Sequence, residues 1–497
     1  MINSSRLSMF RAECRGRVSR WCRLPLQTGV ATLFCYGGPA LAQPQTVLPE
    51  PVAQILVQHR LAESSFSAWV QQVGASEPIL TFNADVPRNP ASVMKLVTTF
   101  AALETLGPTY QWKTEAYVDG RIEGGRLTGD LLLKGYGDPY LVTERLWLLQ
   151  RELRNRGLRE INGDLVVDNS WLAREELDPG AFDGQPYRAY NALPDALLVN
   201  FQAVNFLFRP DAARGRIDII SDPLLANVEI RNNMRQFRGD CSSGKNGISM
   251  VVGATSARPR ITFSGALANQ CSEYQLLRSV LDGPSYAYGA FRGLWEEQGG
   301  HLTGSLRQGQ VPAGKTPFVS FPSLPLAEVI RMVNKFSNNV MCRQIFLTMG
   351  AEKFGPPGTL DKGRQATLAA LASRGLNFPE LQVDNGAGLS RTSRITPANL
   401  GRVLLAAYNS EFQSEFQASL SLSGLDGTTR RRFLKDPLAG EMHLKTGTLN
   451  GITAIAGFVR SQSGAEYAVV VVVTEAKATW GGGQSAQNAL LHWVHQR

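Results

Sequence analysis

Three short patterns in this chain could perform chemistry together. In Ser92-Val93-Met94-Lys95, three residues on a helix make almost one turn, so a hydroxyl and an amine face the same way with Cβ atoms about 5–6 Å apart. An uncharged amine at that range can take the serine's proton, which is what amine-assisted activation of a nucleophile requires. Ser337-Asn338-Asn339 falls at a break between two helical runs. If the chain is extended there, Ser337 and Asn339 point to a common side and offer a hydroxyl and an amide. Lys445-Thr446-Gly447-Thr448 closes a predicted strand. An exposed edge at that point can pair with an extended peptide, and Gly447 lets a ligand approach the backbone closely. A serine nucleophile, an amine base and a peptide-binding edge together describe acyl transfer.

Each pattern alone has a plainer reading. A second Ser-x-x-Lys, Ser242-Ser243-Gly244-Lys245, sits among Gly, Cys and Ser in a loop, where nothing holds the amine over the hydroxyl. Ser92 could be a helix cap with Lys95 snorkelling to the surface, although Met94, Leu96 and Val97 flank that lysine. Ser337-Asn338-Asn339 also resembles a cap, and Lys-Thr-Gly at a strand end resembles a turn. Their joint occurrence, each in suitable local structure, is what separates chemistry from punctuation.

The elements that must position these residues are legible in outline. A helix is predicted over 50–62, then strands Phe66 to Val73 and Pro78 to Asn83 around Gly74-Ala75-Ser76. After Asn89-Pro90 the apolar residues Val93, Met94, Leu96, Val97, Phe100, Ala101, Leu103 and Leu106 occupy most sides of a helix, which marks it as buried until Gly107-Pro108 ends it. From 112 to 310 short strand-like segments alternate with Gly, Asp and Asn turns. Among them Thr143 to Arg156 reads as a helix with Thr143 as its cap. Helices return at Leu326 to Lys335 and Asn339 to Met349. The C-terminal part holds strands at Met442 to Lys445, Ile452 to Val459 and Tyr467 to Val473, then a helix from about Ala486 to His495. Strands followed by a covering helix fit an antiparallel sheet under helices. The expected division is therefore 1–42, a first domain part at 43–111, a β-rich insertion at 112–310, and a second domain part at 311–497.

Composition removes other classes. With 43% hydrophobic and 19% charged residues in 497, the chain is an ordinary globular one and not a disordered one. The net charge of +9 is partly local, because the first 42 residues hold six Arg and one acid; beyond them 45 basic residues face 41 acidic ones. That excess is no polyanion-binding signature, so nucleic acid is not an expected partner. An Arg-rich start, a weak apolar run from Leu24 to Phe34 and the small-x-small Ala40-Leu41-Ala42 read as a secretory signal cleaved near Ala42-Gln43. No later stretch reaches membrane-spanning length. The expected location is periplasmic, with room for peripheral membrane or wall association. Outside the signal, Cys241 and Cys271 lie in turn-rich chain and could pair in an oxidising compartment, while Cys342 sits in a helical run as a buried small hydrophobe. Three spaced cysteines and five scattered histidines make no metal constellation, so neither metal nor other cofactor is expected.

Ser-x-x-Lys, Ser-x-Asn and Lys-Thr-Gly in this order resemble the penicillin-recognising serine acyltransferases. The long gap between Ser92 and Ser337 is similar to that of the type-4 class C penicillin-binding proteins, the D-alanyl-D-alanine carboxypeptidase/endopeptidase family. Gly135-Tyr136-Gly137-Asp138-Pro139-Tyr140-Leu141, Asp384-Asn385-Gly386-Ala387-Gly388-Leu389-Ser390-Arg391 and Lys445-Thr446-Gly447-Thr448-Leu449 support that narrower likeness. Asn385-Gly386-Ala387 departs from it where a Gly-Ser-Gly-like stretch is expected. The resemblance implies an α+β fold: a transpeptidase-like domain, its antiparallel sheet covered by helices, a helical subdomain and a large β-rich insertion. It implies an acyl-enzyme on Ser92, with Lys95 as base and Ser337 relaying the proton to the departing amine. Asn339 would hold the substrate amide and steady Lys95. Lys445, Thr446 and Thr448 would take the terminal carboxylate. The backbone N–H groups of Ser92 and Thr448 would form the oxyanion hole, with Gly447 between. The implied partners are peptidoglycan peptides as substrates and β-lactam antibiotics as inhibitors. A serine β-lactamase is the alternative, but no second group for its deacylating water is evident. A non-catalytic wall-binding or sensor protein is the other alternative, against which the complete set of reactive residues argues.

Overall fold

The computed structural model describes residues 45–174, 177–241, 245–253 and 258–497. The signal-like segment, with Cys14, Cys22 and Cys35, lies outside the described residues, as do Ser242, Ser243 and Gly244 of the second Ser-x-x-Lys.

Strands from both ends of the chain build one six-stranded antiparallel sheet. Its order is Ser421–Leu422, Met442–Leu449, Ile452–Arg460, Glu466–Thr474, Phe66–Gln72, Leu80–Phe82. The unbroken apolar run Tyr467–Val473 forms an interior strand buried on both faces, as a run without alternation should. On one face Glu50–Gln58 and Gly482–His495 cover it, burying Val52, Leu56, Leu490, Leu491 and Val494. On the other lies the helix Met94–Leu106, buried from Met94 through Leu103. That helix is enclosed by Leu326–Phe336, Asn339–Phe354, Leu360–Ser373 and Pro397–Tyr408, which make the helical layer.

Between these halves the chain makes its own sheets and core. The hairpin Gln111–Glu123 and Arg126–Gly135 belongs to a seven-stranded sheet that Val319–Pro325 joins antiparallel to Gln111–Glu123. Two three-stranded sheets follow, one of them ordered Tyr274–Arg278, Val204–Asp211, Arg216–Asp222. Phe206, Phe208, Phe263, Tyr286, Phe291 and Trp295 fill their core, and Cys241 is bonded to Cys271.

Two local expectations need correcting. Thr143 does not cap its helix, which starts after Val142 without a side-chain cap. The chain at Ser337 is not extended: Ser337 takes the left-handed conformation (φ 56°) that ends one helix, and Asn338 caps the next by accepting from the Met341 N–H at 3.0 Å. The glycine-bearing helix Gly283–Glu297 stands within 112–310, where Thr143 to Arg156 is the clearest helix expected. Those glycines permit close packing: a Cβ on Gly289 would lie 2.0 Å from Asn227 Oδ1, and one on Gly293 2.5 Å from the Leu224 carbonyl.

Candidate active site

The turn before the buried helix is held in a conformation that aims Ser92. Ala91 has φ 49° although it is not glycine, a strained state that persists only where neighbours enforce it. Asn89 does this, accepting from the Ala91 N–H at 2.9 Å while donating to the Ser390 carbonyl at 2.8 Å. A 3₁₀ turn, Ala91–Val93, then runs into the helix Met94–Leu106. Ser92 is half-buried, whereas Lys95 is fully buried.

Lys95 Nζ has three oxygen neighbours: Ser92 Oγ at 3.0 Å, Asn339 Oδ1 at 2.7 Å and the Ala387 carbonyl at 2.6 Å. The last two can only accept. A neutral amine has two N–H bonds and one lone pair, so its hydrogens satisfy Asn339 and Ala387 and its lone pair faces the Ser92 hydroxyl. Burial lowers the Lys95 pKa to about 8, and the nearby Arg343 guanidinium adds to that.

The opposite wall is the strand Met442–Leu449. Lys445 is fully buried and donates to Ser337 Oγ at 2.8 Å and to the Thr446 carbonyl at 2.7 Å. Burial and the Lys95 charge both hold its pKa well below the ordinary lysine value. Thr446 donates to Thr428 Oγ1 at 2.8 Å, and Thr448 is exposed. The short strand Ser421–Leu422 pairs with His443 and Leu444, so among the described residues the edge from Lys445 to Leu449 has no strand partner on that side. Gly447 is required here by proximity: a Cβ would lie 2.6 Å from the Pro90 carbonyl and 3.1 Å from the Ser92 nitrogen. The predicted site residues thus come together: Ser92 and Asn339 share Lys95, Ser337 is bonded to Lys445, and Gly447 packs on the Ser92 backbone with Thr446 and Thr448 on the same strand. Ser337 reaches Lys445 and Asn339 reaches Lys95, through a left-handed turn and a helix start rather than an extended segment.

The third wall settles the loop that departs from the family pattern. Gly386 and Gly388 have φ 70° and 72°, and a Cβ on Gly388 would meet the Ala91 carbonyl at 1.9 Å. Ala387, between them, is fully buried and gives its carbonyl to Lys95. Sequence reasoning missed this acceptor, because a backbone carbonyl leaves no residue-type signal. It also missed Asn89, visible as an Asn two residues before a strained position, and Arg343, which follows Asn339 by one helical turn. Cys342 is buried as expected; its thiol donates to the Gly386 carbonyl at 3.3 Å and burial pushes its pKa up to about 11. Beside Arg343 a cavity of about 330 Å³ opens, lined by Phe182, Leu193, Arg343, Asp384, Ser390 and Arg391. Among the described residues no group of three His, Cys, Asp or Glu side chains is placed to hold a metal ion.

A helix-borne serine under a buried lysine, facing a Lys-Thr-Gly strand, defines the penicillin-recognising serine peptidases, here with a large insertion. Residues 48–495 match the D-Ala-D-Ala carboxypeptidase 3 (S13) family, and the chain belongs to that family of serine-type carboxypeptidases. It is 25% identical over 414 residues to the D-alanyl-D-alanine carboxypeptidase DacB of Haemophilus influenzae, covering 83% of this chain and 86% of that one. It is 28% identical over 445 residues to a D-alanyl-D-alanine carboxypeptidase of an Actinomadura species, covering 86% and 81%. The crystal structure of penicillin binding protein 4 from Haemophilus influenzae shares the fold, with a TM-score of 0.74 at 22% identity over 90% of this chain and 99% of that one.

Proposed function

We propose that the protein cleaves the bond between the two terminal D-alanines of peptidoglycan stem peptides, and the equivalent bond in cross-links, through an acyl-enzyme on Ser92. The observation that carries this reading is the three-partner geometry of Lys95: once uncharged, with its two hydrogens on Asn339 and Ala387, the amine has only its lone pair for the Ser92 hydroxyl. Ser92 attacks the carbonyl and its proton passes to Lys95. Ser337, bonded to Lys445, returns a proton to the departing D-alanine nitrogen. The oxyanion rests on the N–H groups of Ser92 and Thr448, donors each worth about 2.7–4 kcal/mol in such sites. Protonated, Lys445 has one N–H left for the terminal carboxylate, which Thr446 and Thr448 flank. Asn339 keeps Lys95 oriented and meets the substrate amide, while the free edge from Lys445 to Leu449 pairs with the extended peptide. Water then hydrolyses the ester.

β-Lactams enter the same crevice as inhibitors and leave Ser92 stably acylated. The same proposal includes export through cleavage near Ala42-Gln43 to the periplasm, and a catalytic domain formed by 43–111 and 311–497 around an insertion at 112–310. Support for that partition comes from the separate apolar cores on either side of it. The decisive test is penicillin treatment of the mature protein, followed by mass spectrometry of its peptides and assay of D-alanine release from a pentapeptide. The expected result is one stable adduct on the peptide containing Ser92 and release that penicillin abolishes. Rapid turnover of intact penicillin would move the assignment to β-lactamase, and equal release by wild type and Ser92→Ala would refute catalysis.

A further inference from the structure

Away from the crevice, the helix Thr143–Asn155 and the helix Gly283–Glu297 flank an open groove of about 630 Å³ beside the small sheet of the insertion. That volume is in the range of small-ligand sites. Its floor is set by strand register. Leu277, Asn205 and Asp222 are direct partners across the three antiparallel strands, so they project from one sheet face in a row about 10 Å long. Two residues along, Gln275, Leu207 and Ile220 repeat the row on the same face, while Phe206 and Phe208 point into the core. The groove side therefore presents apolar and polar groups in turn.

On the helical side stand Trp147 and Leu148, 38% and 39% exposed, opposite Leu277 at 52%. The Arg151 guanidinium lies 5.5 Å from the Trp147 ring and holds it by cation–π attraction. The polar members are unspent: the side chains of Asn205 and Asp222 have no hydrogen-bond partner among the described residues. Asn200 commits only its Nδ2, to the Ala203 carbonyl and Tyr286 hydroxyl at 3.0 and 3.3 Å. An indole bordered by free amides and a carboxylate suits a ligand with C–H faces and many hydroxyl and amide groups. A protein partner suits it less well, since interface centres are depleted of charge.

We propose that this groove binds the glycan of the substrate polymer, a chain of N-acetylated amino sugars, with Trp147 as the stacking platform and Asn205 and Asp222 as hydroxyl and amide partners. The proposal rests on the reading that Ser92 acts on peptidoglycan. Neighbourhood along the chain supports it. The cavity beside Arg343 shares Leu193 and Pro194 with a second cavity of about 560 Å³. That cavity reaches Gln202 and Ser279, and the groove begins at Ala203 and Leu277. An extended stem peptide advances about 3.3–3.6 Å per residue, so its sugar end belongs well away from Ser92.

The test uses the mature protein with Trp147→Ala, Trp147→Phe and Asn205→Ala. An N-acetylglucosamine tetramer is titrated against tryptophan fluorescence, and kcat/KM is compared on a sugar-bearing pentapeptide and a sugar-free one. Trp147→Ala should abolish tetramer binding and lower kcat/KM about 10-fold on the sugar-bearing substrate only. Trp147→Phe should recover most of that, and penicillin acylation should not change. Wild type that ignores the tetramer, or variants that treat both substrates alike, would overturn the proposal, as would a concentration-dependent dimer that Trp147→Ala dissolves. Absence of penicillin acylation in wild type would instead sink the Ser92 reading, while tetramer binding still judges the groove.

Discussion

Two buried lysines face each other across the crevice, and their surroundings differ. Lys95 is ringed by two obligate acceptors and one hydroxyl. Lys445 has a hydroxyl and its neighbour's carbonyl, and nothing third. Both lose water, so both are biased toward the uncharged amine. The complete shell around Lys95 fixes its lone pair, which is what a base needs. The incomplete shell around Lys445 leaves room for the negative group that would restore its charge, which is what a carboxylate-binding residue needs. On the proposed mechanism, the same residue type is divided into two tasks by the number of acceptors around it.

The largest break in this contrast is Lys95→Met. Loss of a general base should lower the penicillin acylation rate by about 10²–10⁴-fold, read by stopped-flow or intact mass. The same change should raise the melting temperature near neutral pH, because it removes a buried amine kept for function. The sign can be checked against pH. The folded Lys95 pKa, about 8, lies below its unfolded value. Above pH 8 the unfolded chain therefore binds the proton that the folded chain refuses, and stability rises with pH until the ordinary lysine range is passed. Lys95→Met should flatten that rise.

Lys445→Met should act chiefly through KM for the carboxylate-bearing peptide, lowering kcat/KM by roughly 10- to 100-fold, the worth of a hydrogen bond to a charged group. A substrate amidated at its terminus should show little further loss, and a full loss there would break the division of tasks. Smaller still is the effect of Arg343→Gln. Wild-type acylation should rise with pH through about 8 as Lys95 loses its proton, and removing the guanidinium should move that midpoint upward. Thr446→Val, which deletes the bond to Thr428 and the proposed carboxylate contact, should cost about 0.5–1.5 kcal/mol in kcat/KM.

What could be read from the sequence follows the physics of each signal. Tyr467–Val473 and Met94–Leu106 are legible because burial on all sides writes a continuous apolar run. The lysine–serine spacing is legible because helical periodicity fixes which side chains meet. Gly283–Glu297 is not, since its glycines answer to Asn227 and Leu224, far away in sequence. An extended backbone is only one way to bring Ser337 and Asn339 to a common side; the junction of two helices makes Ser337 left-handed instead. Ala387 contributes through its carbonyl, and any residue type would offer the same atom. Side-chain chemistry is written locally, whereas backbone contributions are decided by long-range packing.

The pairing of Phe66–Gln72 with Glu466–Thr474 also governs how the molecule comes into being. Phe66–Gln72 meets Leu80–Phe82 at once but its other neighbour only far along the chain, and long-separated pairings of this kind are slow to close. Until then the valine-rich stretch and its mate are both adhesive, a hazard for aggregation. Removing the last two strands should therefore yield an insoluble product rather than a weakened enzyme, even though Ser92 and Lys95 would both be present.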